Sequence, residues 1–174
     1  SPMRRQNANL LELAPFSILM LAGLVIYYGY LALLTRQAGT GGGFGDIDPE
    51  ILLEHGACLR EGVWDNQWQR FVMPMFLHVN FMHLLFNAYS LYRYGPELEI
   101  HFGTANFGSI YLLSGLGCIC LSLICTGGLS VGASGCIFGM LGAALATKIV
   151  KSPDLRRALR SSEVRQTAGY IAAM

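Results

Sequence analysis

Four apolar stretches constrain this chain more than anything else in it, because each is close to the roughly 20 residues an α-helix needs to cross a bilayer. They run over 13–35, 80–94 with an apolar lead-in at 71–79, 105–126 and 131–150, and a fifth starts near Gln166. Backbone amides find no water in hydrocarbon, so stretches of this kind close their hydrogen bonds internally as helices. The predicted fold class is all-α, a polytopic transmembrane helical bundle with four spans visible plus the start of a fifth. We read 1–174 as a single, incomplete membrane domain. Composition agrees: 13% of the residues are charged and 53% apolar, against about 25% charged in a soluble domain. Cys118, Cys120, Cys125 and Cys136 lie in these stretches without histidine partners at metal-like spacing, and they read as buried small hydrophobes.

Orientation follows from where the cations sit rather than from the net charge of +1. Arg4 and Arg5 precede the first span, and Lys148, Lys151, Arg156, Arg157, Arg160 and Arg165 lie at or after the end of the fourth. Two ends separated by four spans share one side, and the positive-inside rule makes that side, and the N-terminus, cytoplasmic. The loop 36–70, with six acids and three arginines, is then external, while 151–165 is a cytoplasmic basic loop that also suits anionic headgroups. The bacterial inner membrane is the default setting. The first apolar segment is too long for a signal-peptide core and reads as a true span.

This topology places one group of polar residues at a common depth. Ser134, in the small-residue run Gly132-Ala133-Ser134-Gly135, falls at the external start of the fourth span. His78 and His83 fall at a similar depth where the second span enters, and Asn87 shares a helical face with His83. Polar side chains at membrane depth face a bundle interior or a wet cavity. The chemistry that fits is acyl transfer, in which a serine nucleophile needs a base and its oxyanion needs preorganised donors. Backbone N–H groups at the start of a helix, together with His83 and Asn87, are such donors. A plainer reading stands beside this one: Gly132, Gly135, Gly139, Gly142 and Ala146 form a small-residue stripe that would serve helix packing alone. Taken singly, His83 and Asn87 would be interhelical hydrogen-bonding groups, and His55 and His101 solvated ones.

The blocks Trp68-Gln69-Arg70-Phe71, Phe76-Leu77-His78, His83 to Asn87, Glu99 to Gly103 and Gly132 to Gly135 resemble, in order and spacing over about 67–145, the conserved blocks of rhomboid intramembrane serine proteases. The resemblance implies a rhomboid-like bundle with Ser134 as nucleophile and His83, Asn87 and the Ser134 amide as oxyanion hole. It implies that His78 is a structural or cavity residue and that Glu99 forms buried hydrogen bonds at the cytoplasmic helix ends. It places Arg70 in an amphipathic loop partly in the outer leaflet, with Trp64 and Trp68 at the interface. Phe138 stands where the family has an aromatic ring stacked on the catalytic histidine. Substrates would be transmembrane segments of other proteins, entering from the lipid bilayer and cut near the outer face. No cofactor, metal or nucleic acid is expected.

Two positions depart from the family pattern. Trp68 precedes Arg70 by two positions rather than one, and no histidine follows Ser134, although the family's base lies in a later span. Alone, the chain is expected to be a very poor protease. Three readings follow: the N-terminal part of a rhomboid protease whose later spans lie outside the sequence, which is favoured because Ser134, His83 and Asn87 are all retained; a rhomboid-like pseudoenzyme; and a structural subunit packed against other membrane subunits.

Overall fold

The computed structural model describes residues 13–41, 45–59, 66–125 and 128–173, and among them every regular element is helical. In chain order these are α1 (Pro15–Ala38), α2 (Pro49–Glu54), two 3₁₀ turns (Trp68–Phe71 and Met73–Phe76), α3 (Phe81–Phe102), α4 (Thr104–Cys125), α5 (Ser134–Val150), α6 (Leu155–Arg160) and α7 (Ser162–Ala173). Only α1 and α4 among the described helices are both long and apolar enough to cross a membrane. α5 is apolar but shorter, at 17 residues. α3 has the length, with 22 residues, but carries His83, Asn87, Arg93, Glu97 and Glu99.

Several boundaries differ from those the sequence suggests, each for a local reason. The second apolar stretch does not stop at Tyr94, because Pro96 is accommodated within α3 and the helix continues to Phe102. It ends where Gly103 adopts φ 81°, a conformation that glycine takes without strain, with its N–H on the Glu99 carbonyl at 2.8 Å. The lead-in 71–79 is not continuous helix. Pro74 supplies no N–H, and the chain there forms 3₁₀ turns before an extended Leu77. The basic loop contains α6, and α7 begins at Ser162 rather than at Gln166.

α1, α3, α4 and α5 run alternately up and down, so that each end of the bundle collects one set of termini. α3 presents Leu84, Asn87, Leu91, Gly95 and Leu98 inward at three- and four-residue spacing. α1 fits against it at Gly95, where a Cβ would lie 2.9 Å from the Ser17 hydroxyl. Phe16 meets Phe107 and Tyr111 of α4 edge to face, with ring centroids 5.8 and 5.7 Å apart; such pairs contribute about 0.5–1.5 kcal/mol each beyond burial.

α4 and α5 approach most closely through small residues. A Cβ at Gly135 would collide with the Cys118 side chain, one at Gly139 with Ser114, and one at Gly115 with Cys136 and Met75. Between helices in lipid, packing of this kind replaces the hydrophobic drive that water supplies elsewhere. The predicted stripe is therefore divided. Gly135 and Gly139 pack on α4, Gly142 has open space beside it, and Gly132 faces α3. The cysteines divide as well: Cys58 and Cys136 are buried, whereas Cys118 and Cys125 are exposed.

Candidate active site

Ser134 is the first residue of α5, after Ala133 at the N-cap. The first intrahelical bond, from Ile137 N–H to the Ala133 carbonyl at 2.9 Å, leaves the earlier N–H groups of the helix without a carbonyl inside it. The serine hydroxyl is thus set among backbone donors at the positive end of a helix.

The approach to Ser134 is held in place by three outside contacts. Ser130 and Cys58 exchange backbone hydrogen bonds at 2.8 and 3.0 Å, an isolated antiparallel bridge between distant segments. Gly132 N–H donates to the Pro74 carbonyl at 2.7 Å. Gly132 itself has φ 115°, and a Cβ on it would lie 2.7 Å from His83 Nε2. Both its conformation and the imidazole against it require glycine.

The long loop supports the same bridge from behind. Arg70 donates through Nη1 to the carbonyls of Leu53 at 2.9 Å and Ala57 at 2.5 Å, and through Nε to Gln67 Oε1 at 2.6 Å. It therefore clamps the end of α2 and the residue just before Cys58. α2 begins on Asp48, whose carboxylate accepts from Glu50 N–H at 2.7 Å. The Thr40 hydroxyl and that amide hold the Asp48 carboxyl below its ordinary range. Burial pushes the Cys58 thiol up, which keeps it protonated and unreactive.

His83 is oriented from its own backbone, because Asn80 caps α3 by accepting from His83 N–H at 2.9 Å. Its ring meets that of His78 edge to face, centroids 5.1 Å apart. His78 is fully buried, and among the described residues neither of its ring nitrogens has a hydrogen-bond partner. Asn87, one turn further along α3, is 1% exposed, and its amide nitrogen is likewise unpartnered. Buried polar atoms without partners are uncommon, and each one calls for a reason.

His78, His83 and Gly132 are thus in contact or nearly so, with Ser134 two residues beyond Gly132 and Asn87 on the His83 face of α3. Phe138 stands one turn beyond Ser134 on the same face of α5 and is 42% exposed. Glu99 is buried at the opposite end, where its carboxyl accepts from the N–H groups of Phe16 (2.9 Å) and Ser17 (2.8 Å) and from the hydroxyls of Ser17 (2.7 Å) and Thr104 (2.9 Å). His55 is not simply solvated. It is half-buried, with Nδ1 2.8 Å from the Ile51 carbonyl and its ring against Tyr27 and Tyr30. His101 is exposed. Sequence reasoning missed the Cys58–Ser130 bridge and the Pro74 acceptor, for which no local pattern gives a signal.

An all-helical bundle with two membrane-length apolar helices and a serine opening a helix beside histidine defines a class of integral membrane proteins. The comparison with known families narrows it. A family model for the rhomboid domain matches residues 65–171, more than half of the chain, and the chain belongs to the rhomboid family. Among its relatives, "Rhomboid protease GluP" of Bacillus subtilis is 36% identical over 101 residues, covering 58% of this chain and 20% of that protein. "RHOMBOID-like protein 5" of Arabidopsis thaliana is 39% identical over 108 residues, covering 59% and 35%. "Rhomboid-type serine protease 2" of Emericella nidulans is 36% identical over 88 residues, covering 49% and 18%. The chain spans well under half the length of these relatives. No solved structure matches it significantly.

Proposed function

We propose that this chain carries the nucleophile half of an intramembrane serine endopeptidase that cuts transmembrane segments of other membrane proteins near the outer face. The observation that carries the reading is the packing of the His83 imidazole on Gly132, two residues before a serine that opens a helix. In this reading the N-terminus and the Glu99 end are cytoplasmic, the Ser134 end faces outward, and the bundle is one incomplete rhomboid domain.

Ser134 Oγ attacks the scissile carbonyl carbon, and its proton passes to a base. The negative charge gathers on the former carbonyl oxygen. The Ser134 N–H, the Asn87 amide nitrogen and the His83 ring supply the donors for it, and the unpartnered state of the Asn87 nitrogen supports that role. Removing a single donor of this kind costs about 10²- to 10³-fold in rate. His83 serves as donor and cannot at the same time accept the serine proton from its positions against Gly132. We therefore assign the base to a group outside these 174 residues. His78 orders the cavity behind His83, and Arg70 and Glu99 set the loop and helix ends that hold the site.

The test is labelling of the full-length protein in detergent with a fluorescent fluorophosphonate. Labelling at Ser134, lost in Ser134→Ala, is the expected result. An unlabelled Ser134 in a folded protein would favour the pseudoenzyme reading.

A further inference from the structure

At the end of the bundle opposite Ser134 lies a cavity of about 660 Å³ between the last turns of α3 and α5 and Ser161, the residue before α7, bordered by residues the protease reading does not use. One wall is apolar, from Tyr94, Leu98, Ile100 and Ala144; the other carries Lys148, Lys151 and the hydroxyl-bearing Ser152. That size falls in the range of small-ligand sites. Among the described side chains Lys148 Nζ is engaged by the Thr167 hydroxyl at 3.1 Å, and an ammonium has two further protons to share. Lys151 is exposed at the mouth. Glu97, the acid on the lining, is 4.0 Å from Arg93 on the outer side of α3. In the segment that follows, α6 carries Arg156, Arg157 and Arg160, with Asp154 just before it. The region 148–165 thus holds six cations and two acids.

We propose that this cavity binds the phosphate of an anionic phospholipid headgroup, with Lys148 and Lys151 on the phosphate and the Tyr94–Leu98–Ile100 wall against the first carbons of the acyl chains. The apolar residues beside the two lysines are what separate this pocket from a site for free phosphate, which would gain nothing from them. Basic pockets between spanning helices at the cytoplasmic side are the places where anionic headgroups are held. The surrounding arginines raise the local concentration of anionic lipid, and the two lysines define where one molecule stops. This assignment rests on the membrane orientation proposed above and not on Ser134 being catalytic.

The experiment is native mass spectrometry of the full-length protein released from mixed micelles containing equal amounts of phosphatidylglycerol and phosphatidylcholine. Retention of one phosphatidylglycerol in preference to phosphatidylcholine is expected. Lys148→Gln with Lys151→Gln should reduce that retention on the order of tenfold, Lys148→Arg with Lys151→Arg should keep it, and Arg156→Gln with Arg157→Gln should reduce it less. In a second arm, inorganic phosphate at millimolar concentration should fail to displace the lipid. Equal retention of the two lipids, retention unchanged in the glutamine pair, or displacement by inorganic phosphate would each overturn the assignment. Unfolding temperatures of both lysine pairs, measured in parallel, separate lost binding from lost folding, because the arginine pair must bind and fold alike.

Discussion

The two ends of the bundle treat buried polar groups in opposite ways. At one end the Glu99 carboxyl receives four donors, two of them backbone N–H groups of α1 and one a hydroxyl of α4. At the other, the ring nitrogens of His78 and the amide nitrogen of Asn87 are buried with no partner among the described residues. A polar group that ties three helices together lowers the free energy of the folded state by being satisfied. One left unsatisfied raises it, and is tolerated where something else is to be bound. On the reading proposed above, the contrast separates a residue that holds the molecule together from residues kept open for a substrate.

The sharpest test of the contrast is at the serine. Ser134→Ala should abolish fluorophosphonate labelling and lower peptide-bond cleavage by the full-length protein roughly 10³-fold or more, with thermal unfolding in detergent unchanged. Asn87→Ala comes next, with an expected loss of about 10²- to 10³-fold in cleavage. Its stability should stay within about 1 kcal/mol of the parent, because the removed amide was missing a partner. Gly132→Ala introduces a methyl against the His83 ring at φ 115°. Displacing reacting groups by about 1 Å costs about 10²-fold, so cleavage should fall to that extent, which progress curves at matched protein concentration will measure.

Glu99→Ala reverses the pattern. It strands the N–H groups of Phe16 and Ser17, and at about 1–3 kcal/mol per stranded buried donor it should destabilise the fold by several kcal/mol in denaturant or thermal unfolding. Active-site labelling of the fraction that remains folded should persist. Equal destabilisation by Asn87→Ala and Glu99→Ala would break the distinction between the two ends. The smallest effect is expected for Arg70→Lys, which keeps a charge but loses the planar fork that spans two carbonyls. Hydrogen exchange of the amides over 53–58 should quicken while cleavage falls less than tenfold.

Much of this was legible in the sequence because it depends on local rules. Apolar length and sparse charge placed α1 and α4, and the four-residue interval put His83 and Asn87 on one face of α3. What the sequence left unread depends on contacts between remote segments. The second apolar stretch reads as ending at Tyr94, yet α3 continues through Pro96 to Phe102. The glycines of 132–142 looked like one packing stripe, and whether each meets α3, α4 or open space is decided by how α5 is rotated, which periodicity alone does not fix. His55 looked solvated because nothing nearby in the chain announces Tyr27 and Tyr30. The cavity beside Lys148 is likewise invisible in a list of basic residues, since it needs the ends of α3 and α5 side by side.

The two-residue bridge between Cys58 and Ser130 also bears on how such a chain matures. Its first strand leaves the ribosome before α3 and α4 exist, and its second only after both have been inserted. The serine turn is therefore set after α3 and α4, and until Ser130 arrives the loop after α2 lacks its backbone partner at Cys58. Closing so long a connection is slow relative to forming each helix. Ser134 thus takes its place only once α3 and α4 are present to frame the turn before it.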